Sequence, residues 1–188
     1  MIAERVIRGI TPDASVRRVD QRWHLEPEQQ RGCDIVVGCM DGFRERWELQ
    51  VLSRRYLVPL IDIGLDVNTV GDEPPRMAGQ VILSVPGGPC MKCMHFITDE
   101  NLEKEAGRYG DAGVRPQVVW ANGVLASVAV GVAVDLLTGW TGASPESVYL
   151  SHDGNAGTMG PDKRLKCVRG ACTHFVSDDV GDPELRRA

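Results

Sequence analysis

Six cysteines stand in the 188-residue sequence, and four of them form two close pairs, Cys90/Cys93 and Cys167/Cys172. Thiolates so spaced suit a soft divalent ion. A tetrahedral Zn²⁺ takes four such ligands, with metal–sulfur bonds of about 2.3 Å. The Cys90-x2-Cys93 spacing is a usual knuckle, and Cys167-x4-Cys172 is looser. Glycine or proline lies beside each pair, which permits the tight turn a knuckle needs. More than seventy residues separate the pairs, so a shared metal would tie the end of the chain to its middle. Closing so long a loop can add several kcal/mol of stability. Other readings stay open at this point. The four could be ordinary thiols, or Cys90 and Cys93 a redox pair, although no thioredoxin-like strand–motif–helix pattern surrounds them. His174 could replace Cys172 as a ligand. His95 is expected to be exposed, and Cys33 and Cys39 to be packing thiols.

The second candidate is Asp41. The run Ile35 to Val37, bounded by Asp34 and Gly38, reads as a strand buried on both faces. A helix is predicted from Phe43 to Tyr56, so Asp41 falls where the carboxyl end of a strand meets a helix start. Ligands bind at that edge in open α/β sheets. A carboxylate there can hold Mg²⁺ on a nucleotide. The plainer reading is that Asp41 caps the helix.

Elements must position these residues. Ile2, Val6, Ile7 and Ile10 predict an amphipathic helix over the first ten residues, stopped at Thr11-Pro12-Asp13. Ser15 to Trp23 alternates loosely and is expected to be a strand, and Pro27 to Gln30 a helical turn. Leu49, Leu52, Tyr56 and Leu57 mark the expected inner face of the Phe43 helix. Val58 to Gly64 and Gly79 to Val85 read as strands, with a loop from Leu65 to Met77 between them. Pro86 to Pro89 turns into the first cysteine pair, and Thr98 to Gly113 is polar and partly helical. A long apolar helix opens at Pro116 and ends near Gly139. Val148 to Ser151 reads as a strand, and Gly160 to Lys166 as a loop leading to Cys167. One domain over 1–175 is expected, followed by a frayed tail over 176–188.

Composition narrows the classes. The net charge is −5 with both signs scattered, so no basic stripe argues for nucleic acid. The charged N-terminus lacks the apolar core of a signal peptide. Val118 to Val134 carries no charge, but it is short for a membrane span and contains Asn122, Gly123, Ser127 and Gly131. It is read as a buried helix of a soluble protein without membrane contact, and the cytoplasm is the expected compartment.

Taken in order, Asp34-Ile-Val-Val, Asp41, Arg46, Val58-Pro-Leu-Ile-Asp-Ile-Gly64, Gly79-Gln-Val, Pro89-Cys-x-x-Cys93, an Asn122-bearing apolar helix and a second cysteine pair resemble the ThiF/MoeB/HesA family, bacterial relatives of ubiquitin-activating enzymes. The resemblance runs from about Met1 to Phe175. It implies an α/β, partial Rossmann-like fold, with a mixed sheet flanked by helices and a zinc knuckle. It also implies a nucleotidyltransferase that binds ATP and Mg²⁺ and adenylylates the C-terminal glycine of a ubiquitin-like or sulfur-carrier protein. A homodimer is implied as well. By resemblance Asp41 and Arg46 are catalytic, Asp41 contacts the Mg²⁺–phosphate part of ATP, and Cys90, Cys93, Cys167 and Cys172 are the zinc ligands.

The sequence departs from the family in three places. The family's Gly-rich turn, with its first strand and helix, does not precede Asp34, so the chain is expected to be the C-terminal portion of a member and to lack much of the ATP site. By itself it is expected not to catalyse ATP–pyrophosphate exchange. Met94 to Asn122 contains no cysteine, which favours adenylylation without a thioester step. Gly42 stands where the family often has Asn. The alternative to the enzyme is a non-catalytic, zinc-stabilised dimerisation or binding module for a ubiquitin-like protein or an enzyme subunit.

Overall fold

The computed structural model describes residues 2–68, 73–107, 118–143, 147–175 and 181. Helix α1 (Ile2–Ile10) leads through an irregular stretch to β1 (Val36–Gly38), α2 (Phe43–Tyr56), β2 (Leu60–Asn68) and β3 (Arg76–Ser84). Then follow α3 (Asp99–Gly107), α4 (Val119–Thr138), β4 (Ser147–Asp153) and β5 (Thr158–Pro161). Two short 3-10 turns, Trp23–Leu25 and Pro27–Gln30, precede β1, and a third, Lys163–Cys167, follows β5.

The five strands form one mixed sheet in the order β1-β2-β3-β4-β5. β1 pairs parallel with β2, through the crossover helix α2 that a parallel pair requires. The remaining neighbours are antiparallel. Two cores flank the sheet. On one side Leu49, Leu60, Ile82, Met91, Met94, Ile97 and Tyr149 pack together. On the other, Leu125 and Ala129 of α4 meet Ile61, Val81 and Leu83. Alternation along β2 and β3 explains the division, since successive side chains point to opposite faces.

Several expectations give way. Ser15 to Trp23 forms no strand; it is mostly exposed, and Trp23 opens a 3-10 turn in which the Arg22 and Trp23 carbonyls accept local backbone bonds. β1 is not buried on both faces. It is the sheet's edge among the described residues, and Val37 is 51% exposed. Both ends of the predicted Leu65–Met77 loop are strand: β2 runs to Asn68, β3 starts at Arg76, and the two pair along their full lengths. Pro74 and Pro75 do lie in the connection between the two strands, and Gly71 falls outside the described residues. Gly160 and Pro161, the start of the predicted Gly160–Lys166 loop, belong to the strand Thr158–Pro161, because β4 offers it an edge. Cys33 and Cys39 are exposed rather than packed.

The long helix is the largest revision. Only Ala121, Leu125 and Ala129 of α4 are buried. By length and composition the helix could cross a membrane, yet 17% of its most apolar window is covered. The sheet shields one stripe, and Trp120, Val124, Val130, Val134 and Leu137 remain exposed. Pro116, the expected start of the helix, and the expected frayed tail over 176–188, Gly181 apart, lie outside the described residues.

Candidate metal centre and strand-end site

The loop after β3 is anchored before its cysteines begin. Met91 and Met94 are fully buried, and their burial pulls the Cys90–Cys93 turn onto the core. From α2, Gln50 accepts from the Met91 backbone N–H (3.0 Å) and donates to Ser84 Oγ (2.6 Å). One turn further on, Arg54 donates to Ser84 Oγ (2.6 Å) and to the Pro89 carbonyl (3.0 Å). Within the turn, Met94 N–H bonds to Cys90 O (3.0 Å), and Cys93 N–H points at Cys90 Sγ (3.5 Å). Amides directed at sulfur favour a thiolate.

The end of the described chain returns to this turn. Phe175 packs at a tilt against Trp47 of α2, with ring centroids 5.2 Å apart, and lies over the Arg54 guanidinium at 5.6 Å. That contact sets Cys172 and His174 beside Cys90 and Cys93, with one ligand atom from each of the four within 4.8 Å of every other. Cys90 Sγ lies 3.6 Å from Cys93 Sγ and 3.4 Å from His174 Nδ1, and Cys93 Sγ lies 3.3 Å from that nitrogen. A tetrahedral site with ~2.3 Å metal–sulfur bonds has donor–donor edges of about 3.7 Å. The set is therefore already close to the size a bound metal requires. Three sulfurs and an imidazole suit Zn²⁺ in a closed, structural site. Without metal, burial pushes the Cys90 thiol up to about 12, so loading the site must expel its proton.

Three of the four predicted ligands meet here, and the fourth does not. Cys167 ends the third 3-10 turn, exposed, with Sγ directed at the Lys163 carbonyl (3.9 Å). It lines the same open cleft of about 470 Å³ as Cys93 and His174. His174, two residues beyond Cys172, occupies the fourth corner of the cluster beside Cys172 rather than in its place. The signal was in the sequence: Cys172-Thr-His174 is a compact donor pair on one turn, just ahead of an aromatic that can dock.

The strand-end site is built differently. Asp41 is exposed in the turn between β1 and α2, as predicted. It does not cap α2: the N-cap residue is Gly42, with no side-chain cap. Glu105 of α3 takes that role, accepting from Phe43 N–H (3.0 Å) and Arg44 N–H (2.8 Å). Arg46 points inward. Its guanidinium pairs with Asp62 of β2, donates to Ile63 O (3.2 Å), and lies over Phe96 at 5.8 Å. Burial pushes the Asp62 carboxyl up, against the pull of Arg46, and Asp62 Oδ1 is buried without a partner. The face that α2 turns inward is thus largely polar: Arg46, Gln50, Ser53 and Arg54 are buried with Leu49, whereas Leu57 is exposed. Sequence reading chose the leucines; the spacing 46, 50, 53, 54 is equally helical and marks the true face.

A parallel strand–helix–strand start, extended by antiparallel strands and followed by a thiol–imidazole cluster, defines an α/β protein of the ThiF type. The chain belongs to the ThiF family, whose model matches residues 1–170. It is also 31% identical over 94 residues to the SAMP-activating enzyme E1 of Haloferax volcanii. That match covers 49% of this chain and 32% of the relative, so the chain spans about a third of the relative's length.

Proposed function

We propose that this chain serves an enzyme that uses ATP and Mg²⁺ to adenylylate the C-terminal glycine of a ubiquitin-like or sulfur-carrier protein, with Zn²⁺ held by Cys90, Cys93, Cys172 and His174 as a structural staple. The observation that carries the reading is the position of Asp41, exposed at the carboxyl end of β1 in a chain of the ThiF family. A carboxylate there would hold Mg²⁺ against the phosphates, and the metal would offset charge at the α-phosphate as the glycine carboxylate attacks and pyrophosphate departs. Arg46 acts in this reading through Asp62, bracing β2 against α2 beneath the site. The assembly we propose is a homodimer in the cytoplasm; the uncovered stripe of α4 offers it apolar area, and six cysteines without a disulfide suit a reducing compartment.

ATP–pyrophosphate exchange tests the reading, using the protein as its source cell makes it and a ubiquitin-like protein ending in Gly-Gly. Exchange should require the intact Gly-Gly end, and Asp41→Ala should slow it by at least about a hundredfold. Undiminished exchange in Asp41→Ala removes Asp41 from the chemistry.

One observation favours a second reading, a zinc-stabilised binding module without catalysis. The helix N-terminus beside Asp41 is occupied by Glu105, and Arg46 is neutralised by Asp62, so two positive groups near the strand end are engaged internally. Tail binding without ATP, and no exchange, would establish that module.

A further inference from the structure

Arg54 is a buried cation that no carboxylate among the described residues neutralises. Its side chain is packed inside the protein, and the residue is 2% exposed. Its hydrogen-bond acceptors are neutral: Ser84 Oγ and the Pro89 carbonyl. Phe175 covers its face. Among the described residues no carboxylate pairs with it, unlike Arg46, which has Asp62. These contacts set it beside both ends of the cluster, since Pro89 directly precedes Cys90 and Phe175 directly follows His174.

A guanidinium stays protonated under all ordinary conditions. Burying it without a partner costs several kcal/mol, so a fold that keeps it inside must supply negative charge nearby. The cysteine cluster supplies it only when the thiols are ionised. Three thiolates, one neutral imidazole and one divalent metal carry a net charge of −1. One guanidinium brings that to zero.

We infer that Arg54 is the counterion of the metal centre, a positioning residue that holds the Cys90 turn through Pro89 and offsets the excess charge of a tris-thiolate site. The inference rests on the zinc reading above and adds to it. It explains why α2 presents an arginine where a leucine would pack, and why Phe175, the residue after the ligand His174, seals the guanidinium from water. Arg54 touches neither metal nor substrate; it acts through the ligand loop and through its charge.

The test is zinc affinity of the purified full chain, measured by competition with a chromophoric chelator, with Co²⁺ as a spectroscopic probe. Arg54→Met should weaken zinc binding by about 10- to 100-fold, the usual loss when an outer-shell partner of a metal site is removed. The Co²⁺ bands should keep their tetrahedral, thiolate-rich form, because the four ligands are unchanged. Arg54→Lys keeps the charge without the fork and should stay within a few-fold of the parent. Arg76→Met, which removes an exposed cation on β3 paired with Glu73, should leave affinity unchanged and so controls for net charge. Affinity in Arg54→Met within about twofold of the parent overturns the inference. An equal loss in Arg54→Lys and Arg54→Met also overturns it, since hydrogen bonding would then outweigh charge. A parent chain that binds no zinc takes down the zinc reading itself, and the inference with it.

Discussion

Glu105 and Gly42 fit together as a pair. A Cβ added at Gly42 would lie 2.5 Å from Glu105 Oε1, so a side chain there makes that carboxylate shift from its place on the first amides of α2. The glycine that replaces the family's usual Asn thus has a local reason: α3 caps α2. Glu105→Ala should cost about 1 kcal/mol, as loss of an N-cap does. Gly42→Ala should cost a similar amount by displacing the carboxylate, and the double variant little more than either alone. Urea midpoints of the three variants check this coupling, and additive losses would refute it.

Removing Asp62 should be severe. Asp62→Ala leaves Arg46 buried and unpaired, at a cost of about 3–5 kcal/mol. Replacing both partners together, Arg46→Met with Asp62→Leu, should recover most of the loss. Thermal unfolding of the single and double variants decides the matter; a double variant as weak as Asp62→Ala would show that the pair is not the cause.

Metal content should separate the thiols. Cys93→Ser and His174→Ala should each lower bound zinc well below one per chain under mild chelation. Cys167→Ser should keep full occupancy, since Cys167 stands apart from the cluster. Zinc lost from Cys167→Ser and retained in His174→Ala would reverse the ligand assignment.

Two effects of pH have opposite origins. Cys90 is held protonated up to about 12 without metal, so zinc must displace its proton. Apparent zinc affinity should rise at least about tenfold per pH unit between pH 6 and 8, with protons released in unbuffered titration. Asp162 behaves otherwise. Its hydrogen bonds from Arg164 and Ser151 hold the carboxyl down at about 2. Its folded value lies below the unfolded value near 4, so its stabilisation is fully present above pH 4 and is lost as pH falls toward 2. Asp162→Asn should flatten the acid side of the stability profile in that window.

Much of this was legible in the sequence, for identifiable reasons. α2 runs from Phe43 to Tyr56 as predicted, because an apolar strand end, a glycine and a run of good helix formers agree there. Asp41 was placed correctly by the same boundary. The errors share one cause: tertiary partners. Residues 65–68 became strand because β3 lay alongside, and Ser15 to Trp23 did not, since none of the described strands pairs with it. α4 reads as uniformly apolar, and apolar content cannot say which stripe meets the sheet. The place of His174 in the cluster was not legible, because pairing cysteines by spacing ignores where an aromatic docks, and Phe175 on Trp47 brings His174 in.

The cluster joins residues 90–93 to residues 172–174, and α4, β4 and β5 all lie between. Mechanically the loaded centre is a clasp. Tension applied to the two ends of the chain would pass through the metal–ligand bonds and bypass everything inside the loop. The enclosed segment would hold back a contour length on the order of 300 Å, released in one step when the clasp opens. Under load, chelation would therefore change the order in which the parts unravel.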